Sequence, residues 1–179
     1  MPTVHSCVTN CAEYWTEILV PDFDDFMKQI DDLRKAFHCA ISLFHMCDWI
    51  YVAYQSEISS TFTYTDRHGA TQAVSDERSF ANALRDLYRE FELVRGIANS
   101  AKHLKLRGIG GHADSPSNAA NTKVQSTGWG EAGWGEGSWG GGPRVMLQAT
   151  GRDYEFSAIA TAVRDMWTQL ALEHDWPLS

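Results

Sequence analysis

The stretch 91–106, FELVRGIANSAKHLKL, places several chemically capable side chains on one face of a predicted helix. At 3.6 residues per turn it has a polar stripe and an apolar remainder. The polar stripe consists of Arg95, Asn99, Lys102 and His103. The apolar remainder consists of Leu93, Val94, Ile97, Ala98, Ala101 and Leu104. The spacing therefore predicts a helix that packs into a core and keeps one polar stripe open.

This stretch is also a basic island in an acidic chain. No acidic residue occurs between Glu92 and Asp114, whereas the cations there are Arg95, Lys102, Lys105 and Arg107. The 179-residue chain has a formal net charge of -8, which argues against a broad basic face for coating nucleic acid or a membrane surface. We therefore expect anions to bind at the island, and we expect no membrane partner.

Helical spacing of apolar residues predicts more helices on both sides of this stretch. A short helix over 11–20 is expected to stop at Pro21, and a long apolar helix is expected to run from Phe26 to beyond Tyr51. Residues 56–76 read as a loop with a small hairpin. A further helix starts after Ser75 or Asp76 and continues, with a kink near Glu92, into the opening stretch. A last helix begins near Ser157, so a mainly α helical bundle is predicted.

One carboxylate and two histidines stand out in the long apolar helix. Asp48 continues an apolar stripe, so we expect it to be buried and to need a partner. Two alternatives are open: a local structural bond, or a pair with Arg95 or His103 on the neighbouring helix. His38 and His45 are interpreted as packed or hydrogen-bonded rather than as ligands.

Composition changes after the opening stretch. Residues 108–127 are rich in small and polar residues, which predicts a loop or linker, and 128–142 carry a five-residue repeat centred on Trp129, Trp134 and Trp139. These indoles either pack on the helices or form an interface with a partner. Residues 144–149 and 153–156 flank Thr150-Gly151-Arg152 and predict a small C-terminal β-hairpin. We therefore expect one domain, residues 1–179, with a flexible Gly-rich insertion at about 108–143.

Several function classes lack an anchoring motif. The sequence has no GxGxxG before a helix, no GxxxxGK[ST], no GxSxG and no HExxH, so no cofactor is predicted. Cys7, Cys11, Cys39 and Cys47, even with His5, His38 or His45, match no zinc-finger spacing, and no metal is predicted. The N-terminus lacks the charged start and apolar run of a signal peptide, so a cytoplasmic protein is expected.

A long apolar helix with Asp48-Trp49, followed by the helical segment RGIANSAKH, resembles the HEPN group. These are small all-α, usually dimeric bundles of prokaryotic defence and toxin systems, known for metal-independent ribonucleases. Their signature is an arginine, commonly followed by a polar residue, then four to six residues and a histidine near a helix end. Here Arg95, Asn99 and His103 match it, but seven residues separate Arg95 from His103 and the polar residue does not directly follow the arginine.

The resemblance implies a homodimer in which paired stripes share an RNA-cleaving cleft, with Arg95 and His103 catalytic. Asn99, Lys102, Lys105 and Asp48 would support binding, with RNA as the partner. The alternative from another class is a non-catalytic interaction module of a defence or phage-related assembly. There the stripe would be a buried polar network anchored by Asp48, and Trp129, Trp134 and Trp139 would bind a protein partner.

Overall fold

The computed structural model describes residues 7–102, 118–126 and 142–178. The helices in these ranges are α1 (Cys11–Tyr14), α2 (Val20–Lys28), α3 (Leu33–Thr61), α4 (Glu77–Leu87), α5 (Arg89–Lys102) and α6 (Phe156–Glu173). The strands are β1 (Thr63–Thr65), β2 (Thr71–Ala73), β3 (Thr122–Gln125), β4 (Arg144–Ala149) and β5 (Arg152–Glu155). The predicted mainly α class is therefore confirmed.

The expected stop at Pro21 is wrong, because helix continues from α1 into α2. The residues Trp15–Leu19 between them form a π-helical turn, in which the Val20 N–H donates to the Trp15 carbonyl. Proline has no N–H and its ring crowds the carbonyl four residues earlier in an α-helix. The wider π turn immediately before Pro21 accommodates the ring without ending the helix.

The long apolar helix starts later than predicted. α2 ends at Lys28, and α3 begins after Asp32, whose side chain accepts a hydrogen bond from the Lys35 N–H at 3.0 Å. The link between the two helices is held by the sheet, since the Val145 N–H donates to the Ile30 carbonyl at 2.8 Å. α3 then continues to Thr61, through residues expected to be loop, with non-helical backbone angles at Tyr54.

By length and composition alone, α3 is apolar enough to cross a membrane. Half of its most apolar 18-residue window is, however, buried inside the protein. A core helix of this kind passes the same test as a membrane span. One such helix is therefore weak evidence of a membrane span.

After α3, β1 and β2 pair antiparallel around a turn that contains Gly69 at φ +81°. Asp76 then caps α4: its carboxylate accepts from the Ser79 N–H, and the Ser79 hydroxyl accepts from the Asp76 N–H at 2.9 Å. The helix is interrupted at Tyr88, whose backbone angles are extended, and not near Glu92 as predicted. α5 begins immediately after this break.

The C-terminal strands belong to a three-stranded antiparallel sheet in the order β3-β4-β5. β3 and the single 3-10 turn before it, Ala119–Asn121, lie within 108–127, so the prediction of loop is wrong for those residues. The sequence shows no clear alternation of apolar and polar residues in β3, because its apolar Val124 is itself 46% exposed. A strand was therefore not predicted there. The inner face of β4, with Val145, Leu147 and Ala149, is buried against the helices.

The core lies where α3, α5 and α6 meet. The Phe91 ring of α5 packs edge-on against Trp167 of α6, with ring centroids 6.0 Å apart. The Trp167 indole N–H donates to the Leu43 carbonyl of α3 at 3.0 Å. The Phe91 ring also lies 6.0 Å from the Phe44 ring of α3, so α5 packs against both other helices.

Candidate functional site

Between its exposed ends, α5 opens to solvent along one narrow line. Of residues 91–100, all are buried except Arg95 and Asn99, which are half-buried. The two side chains lie four residues apart and therefore on one face of the helix. Arg95 and Asn99 of the predicted polar stripe thus lie on one partly exposed face, and Lys102 and His103 stay predictions.

Arg95 is held by side chains from two helices. Its Nη1 donates to Asn82 Oδ1 of α4 at 2.9 Å and lies 3.7 Å from Glu92 Oε2, one helical turn earlier on α5. The Arg95 side chain is 20% exposed and that of Glu92 is 9% exposed. The guanidinium is therefore fixed in direction while it still reaches the surface.

Charges of both signs act on the Arg95 guanidinium. Burial lowers the pKa of Arg95, the charge of Glu92 raises it, and the nearby Arg85 and Arg78 of α4 lower it further. An arginine remains charged under these influences. Three guanidinium groups from two helices therefore contribute positive potential around the Arg95 position, and one buried carboxylate opposes it.

The Cys47 thiol lies beneath this cluster on α3. Burial, and then the charge of Asp48, raise the pKa of Cys47 well above its usual range, while Arg95 lowers it. The thiol is consequently protonated near neutral pH, and it donates to Asp48 Oδ1 at 3.5 Å. Cys47 therefore packs as a small apolar side chain and not as a nucleophile.

The expectation that Asp48 is buried is wrong. Its side chain is 44% exposed, and its Oδ2 lies 2.8 Å from Nδ1 of His45 on the same helix. The described hydrogen bonds of Asp48 go to His45 and Cys47, and none goes to Arg95. The Arg95 guanidinium instead contacts Asn82 and Glu92. Among the described residues the local structural alternative fits Asp48, and a pair with His103 stays a prediction. His38 is exposed on the same helix.

Most remaining site predictions fall outside what the structure describes. Lys102 is the last residue of α5, and its side chain is not among those described. Five more of the predicted residues lie outside the described part of the chain: His103, Lys105, Trp129, Trp134 and Trp139. His5 lies outside it as well. The stripe is therefore defined structurally by Arg95 and Asn99.

Two residues of the site escape a reading of the sequence alone. Glu92 marks the edge of the basic island, and only its three-residue spacing from Arg95 signals that it joins the stripe. Asn82 belongs to another helix, so its contact with Arg95 depends on how α4 packs against α5. Glu92 Oε2 is also a buried atom without a hydrogen-bond partner among the described residues.

The described ranges contain no group of three or more His, Cys, Asp or Glu side chains placed to hold a metal ion. No protein-family model, curated protein or solved structure matches this chain. A fixed guanidinium beside the Asn82 amide can bind an oxyanion, since arginine presents a planar fork of N–H donors.

Proposed function

We propose that the chain is an RNA-binding protein and a metal-independent endoribonuclease of the HEPN type, acting in a bacterial defence or toxin system. The observation that carries the proposal is that the buried helix α5 reaches solvent, over residues 91–100, only through Arg95 and Asn99. In this proposal the helices form a bundle of that type, in the cytoplasm. The opening in the central helix is the RNA-contacting surface.

Arg95 suits the phosphate of an RNA backbone. Asn82 engages Nη1, and this is the one hydrogen bond of the guanidinium to a described residue, so further N–H donors remain for phosphoryl oxygens. A guanidinium already fixed in direction loses little side-chain entropy on binding. Arg78 adds positive charge near Arg95, whereas the charge of Arg85 is paired with Asp86 at 2.7 Å.

The proposed reaction needs one more group. The 2′-hydroxyl of RNA attacks the adjacent phosphorus, the bond from phosphorus to the 5′-oxygen breaks, and the products are a cyclic phosphate and a 5′-hydroxyl. His103 is proposed to accept the 2′ proton and to return a proton to the 5′-oxygen, because imidazole titrates near neutral pH. Arg95 would stabilise the charge that develops on phosphorus.

The second candidate is the non-catalytic interaction module, and the contact of Arg95 with buried Glu92 favours it. On that view the stripe is a structural network that fixes α4 on α5. Asn82 and Glu92 replace Asp48 as its anchors. The partner-binding residues would then be Trp129, Trp134 and Trp139.

Cleavage of a total-RNA mixture in the presence of a metal chelator separates the two candidates. We expect the wild type to cleave, and we expect His103→Ala to lower the rate by about 10²- to 10⁴-fold, the usual contribution of positioned proton transfer. His38→Ala is the matched control, because His38 is an exposed histidine on α3 outside the proposed site. Its rate should equal that of the wild type.

Arg95→Lys tests the guanidinium while keeping the positive charge. The variant should fold, and it should cleave more slowly because a lysine ammonium cannot form a bidentate pair with a phosphate. A folded wild type that cleaves no RNA, or one whose cleavage the chelator stops, would contradict the nuclease and favour the interaction module.

A further inference from the structure

Helix α4 turns back onto α5, so that the two helices lie side by side at the surface. Asn82 and Arg95 are 13 residues apart in sequence, yet Arg95 Nη1 donates to Asn82 Oδ1 at 2.9 Å. In one continuous helix the same number of residues would span about 20 Å. The interruption at Tyr88 therefore turns the chain back. Residues before Asn82 on α4 consequently run beside residues after Arg95 on α5.

Arg78 extends the exposed polar surface around Arg95 along α4. It is exposed, and it lies four residues before Asn82 and hence on the same face of that helix. Because the chain turns back, Arg78 lies beside the turn of α5 that follows Arg95 and carries Asn99. Its charge helps to lower the pKa of Arg95, which agrees with this position. Arg78, Asn82, Arg95 and Asn99 thus form one polar strip across two helices, the α4–α5 strip.

The two arginines of the α4–α5 strip differ in how far the fold already engages them. Arg95 has neighbours on both helices, whereas Arg78 forms no hydrogen bond or ion pair with the described residues. The charge of Arg78 also helps to lower the pKa of Asp76, but that carboxylate accepts from the Ser79 N–H at 2.6 Å. The N–H donors of Arg78 are therefore open to a ligand.

The offset between the two arginines suits a ligand with repeated anionic groups. Asn99, beside Arg78, lies one helical turn after Arg95, which corresponds to about 6 Å of axial rise. A stacked nucleic-acid strand carries one phosphate per about 3.4 Å of rise, and an unstacked strand stretches further. Consecutive phosphates of one unpaired strand can therefore reach the two arginines.

We propose that Arg78 binds the RNA phosphate next to the one held by Arg95, so that a single strand lies along the α4–α5 strip. The proposal rests on the RNA-binding function above and adds a second phosphate position to it. The amides of Asn82 and Asn99 lie on the same strip and can donate to the sugar–phosphate backbone. Arg78 is a binding residue in this scheme and takes no part in proton transfer.

The salt dependence of binding tests the second phosphate position. The probe is a short single-stranded oligonucleotide with 2′-O-methyl groups, which remove the attacking hydroxyl, and it is bound to the full chain. Each neutralised phosphate of a single strand contributes about 0.7 to the slope of log K against log salt. Arg78→Gln should reduce the slope by about that amount, so that between about 50 and 200 mM salt the wild type loses about 2.6-fold more affinity. Arg78→Lys keeps the charge and should retain the slope.

Two controls locate the effect. Arg34→Gln removes an exposed arginine in the first turn of α3, about 20 Å of helix before Cys47, whose pKa Arg95 lowers. It should leave the slope unchanged. A dinucleoside monophosphate carries one phosphate and should occupy the position at Arg95, where the guanidinium is already fixed in direction. Arg78→Gln should therefore weaken it less than the longer oligonucleotide.

The results separate this inference from the proposed function. If the wild type and Arg78→Gln bind the oligonucleotide with equal slopes, the second phosphate position is overturned and RNA binding stands. Equal weakening of the dinucleoside and the oligonucleotide also overturns it, because the two arginines would then share one phosphate. A wild type that binds with the expected dependence on Arg78 but cleaves no RNA keeps the phosphate contact and removes the nuclease. Absence of binding to every probe would overturn both.

Discussion

Glu92 and Arg95 show at the scale of single residues how function and stability share one contact. Arg95 supplies the nearest described positive charge to a carboxylate that is 9% exposed. Removing one partner of a buried charge pair strands the other without a counter-charge. The proposed RNA contact therefore depends on a pair that the fold also needs.

We predict that Arg95→Met lowers the free energy of unfolding by about 1–3 kcal/mol, because Glu92 is left buried and unpaired. Glu92→Gln combined with Arg95→Met should cost less than the sum of the two single changes. Urea unfolding of the four proteins gives the coupling directly as a double-mutant cycle. Strict additivity would show that the two side chains do not interact in solution.

Thr150 occupies an unfavourable backbone conformation in the turn between β4 and β5. Its φ is +52° and that of Gly151 is +73°, which are the signs that a two-residue type I′ hairpin requires. A β-branched residue is an outlier in this region, whereas asparagine tolerates it. The Asn-Gly pair is the preferred sequence for such a turn.

Thr150→Asn should therefore raise the free energy of unfolding by up to about 1 kcal/mol, or the melting temperature by roughly 2–4 °C for a chain of this size. Thr150 is exposed, so the change disturbs no core contact. Gly151→Ala is the opposite control and should destabilise the protein, because alanine at positive φ is strained. Equal melting temperatures for all three proteins would refute the turn assignment.

At the scale of elements, the start of α4 links stability to pH. Its N-cap Asp76 accepts hydrogen bonds from Ser79, and these lower the pKa of the Asp76 carboxyl below its usual value. Because the folded pKa lies below the unfolded one, the stabilisation is complete above the unfolded pKa, about 3.9. It is lost as the pH falls through the folded pKa.

Asp76→Ala should cost about 0.5–2 kcal/mol at pH 7, the usual value of an N-cap. The difference from the wild type should shrink when unfolding is measured at pH 3 or lower. Asp24→Ala, at an exposed position of α2, is the control and should leave the stability nearly unchanged at either pH. A deficit for Asp76→Ala that is constant between pH 7 and pH 3 would contradict the linkage.

The sequence predicted elements where the local signal was strong. The Asp76 cap, the buried stripe of α6 with Ile159, Val163, Met166, Trp167 and Leu170, and the class of fold all follow from spacing and capping chemistry. Two helix boundaries were predicted wrongly, one because of a local turn and one because of a nonlocal contact. The π turn lets the helix continue through Pro21, and a hydrogen bond from the sheet holds the link before Leu33. The spacing of apolar residues reveals neither feature.

The same distinction applies to the site. Arg95 and Asn99 were predictable because their spacing lies within one helix, whereas Asn82 comes from a different helix. Asp48 was misplaced because the stripe that it continues, Phe37, Ile41 and Phe44, is itself only half-buried. In α3 the buried side passes through Cys47 and Ile50, and the Asp48 position already faces outward.

At the scale of the whole molecule, the proposed cleft needs two chains. One protomer offers a narrow opening with a single Arg95, whose side chain is 20% exposed. The HEPN resemblance implies that two stripes line one cleft, and the three repeat tryptophans of the sequence favour association. Light scattering at micromolar concentration should then give twice the mass of the 179-residue chain.

Mixing two inactive variants tests whether the cleft is shared, which a mass measurement alone does not. Arg95→Lys and His103→Ala homodimers should each cleave RNA poorly, but their heterodimer retains one Arg95 and one His103 on opposite chains. We expect activity to rise above that of either variant after subunit exchange, because the intact groups meet across the interface. A mixture of His103→Ala with the active variant His38→Ala is the control for any effect of subunit exchange itself on activity. A monomeric mass, or an exchanged mixture no more active than its components, would mean that each chain carries its stripe alone.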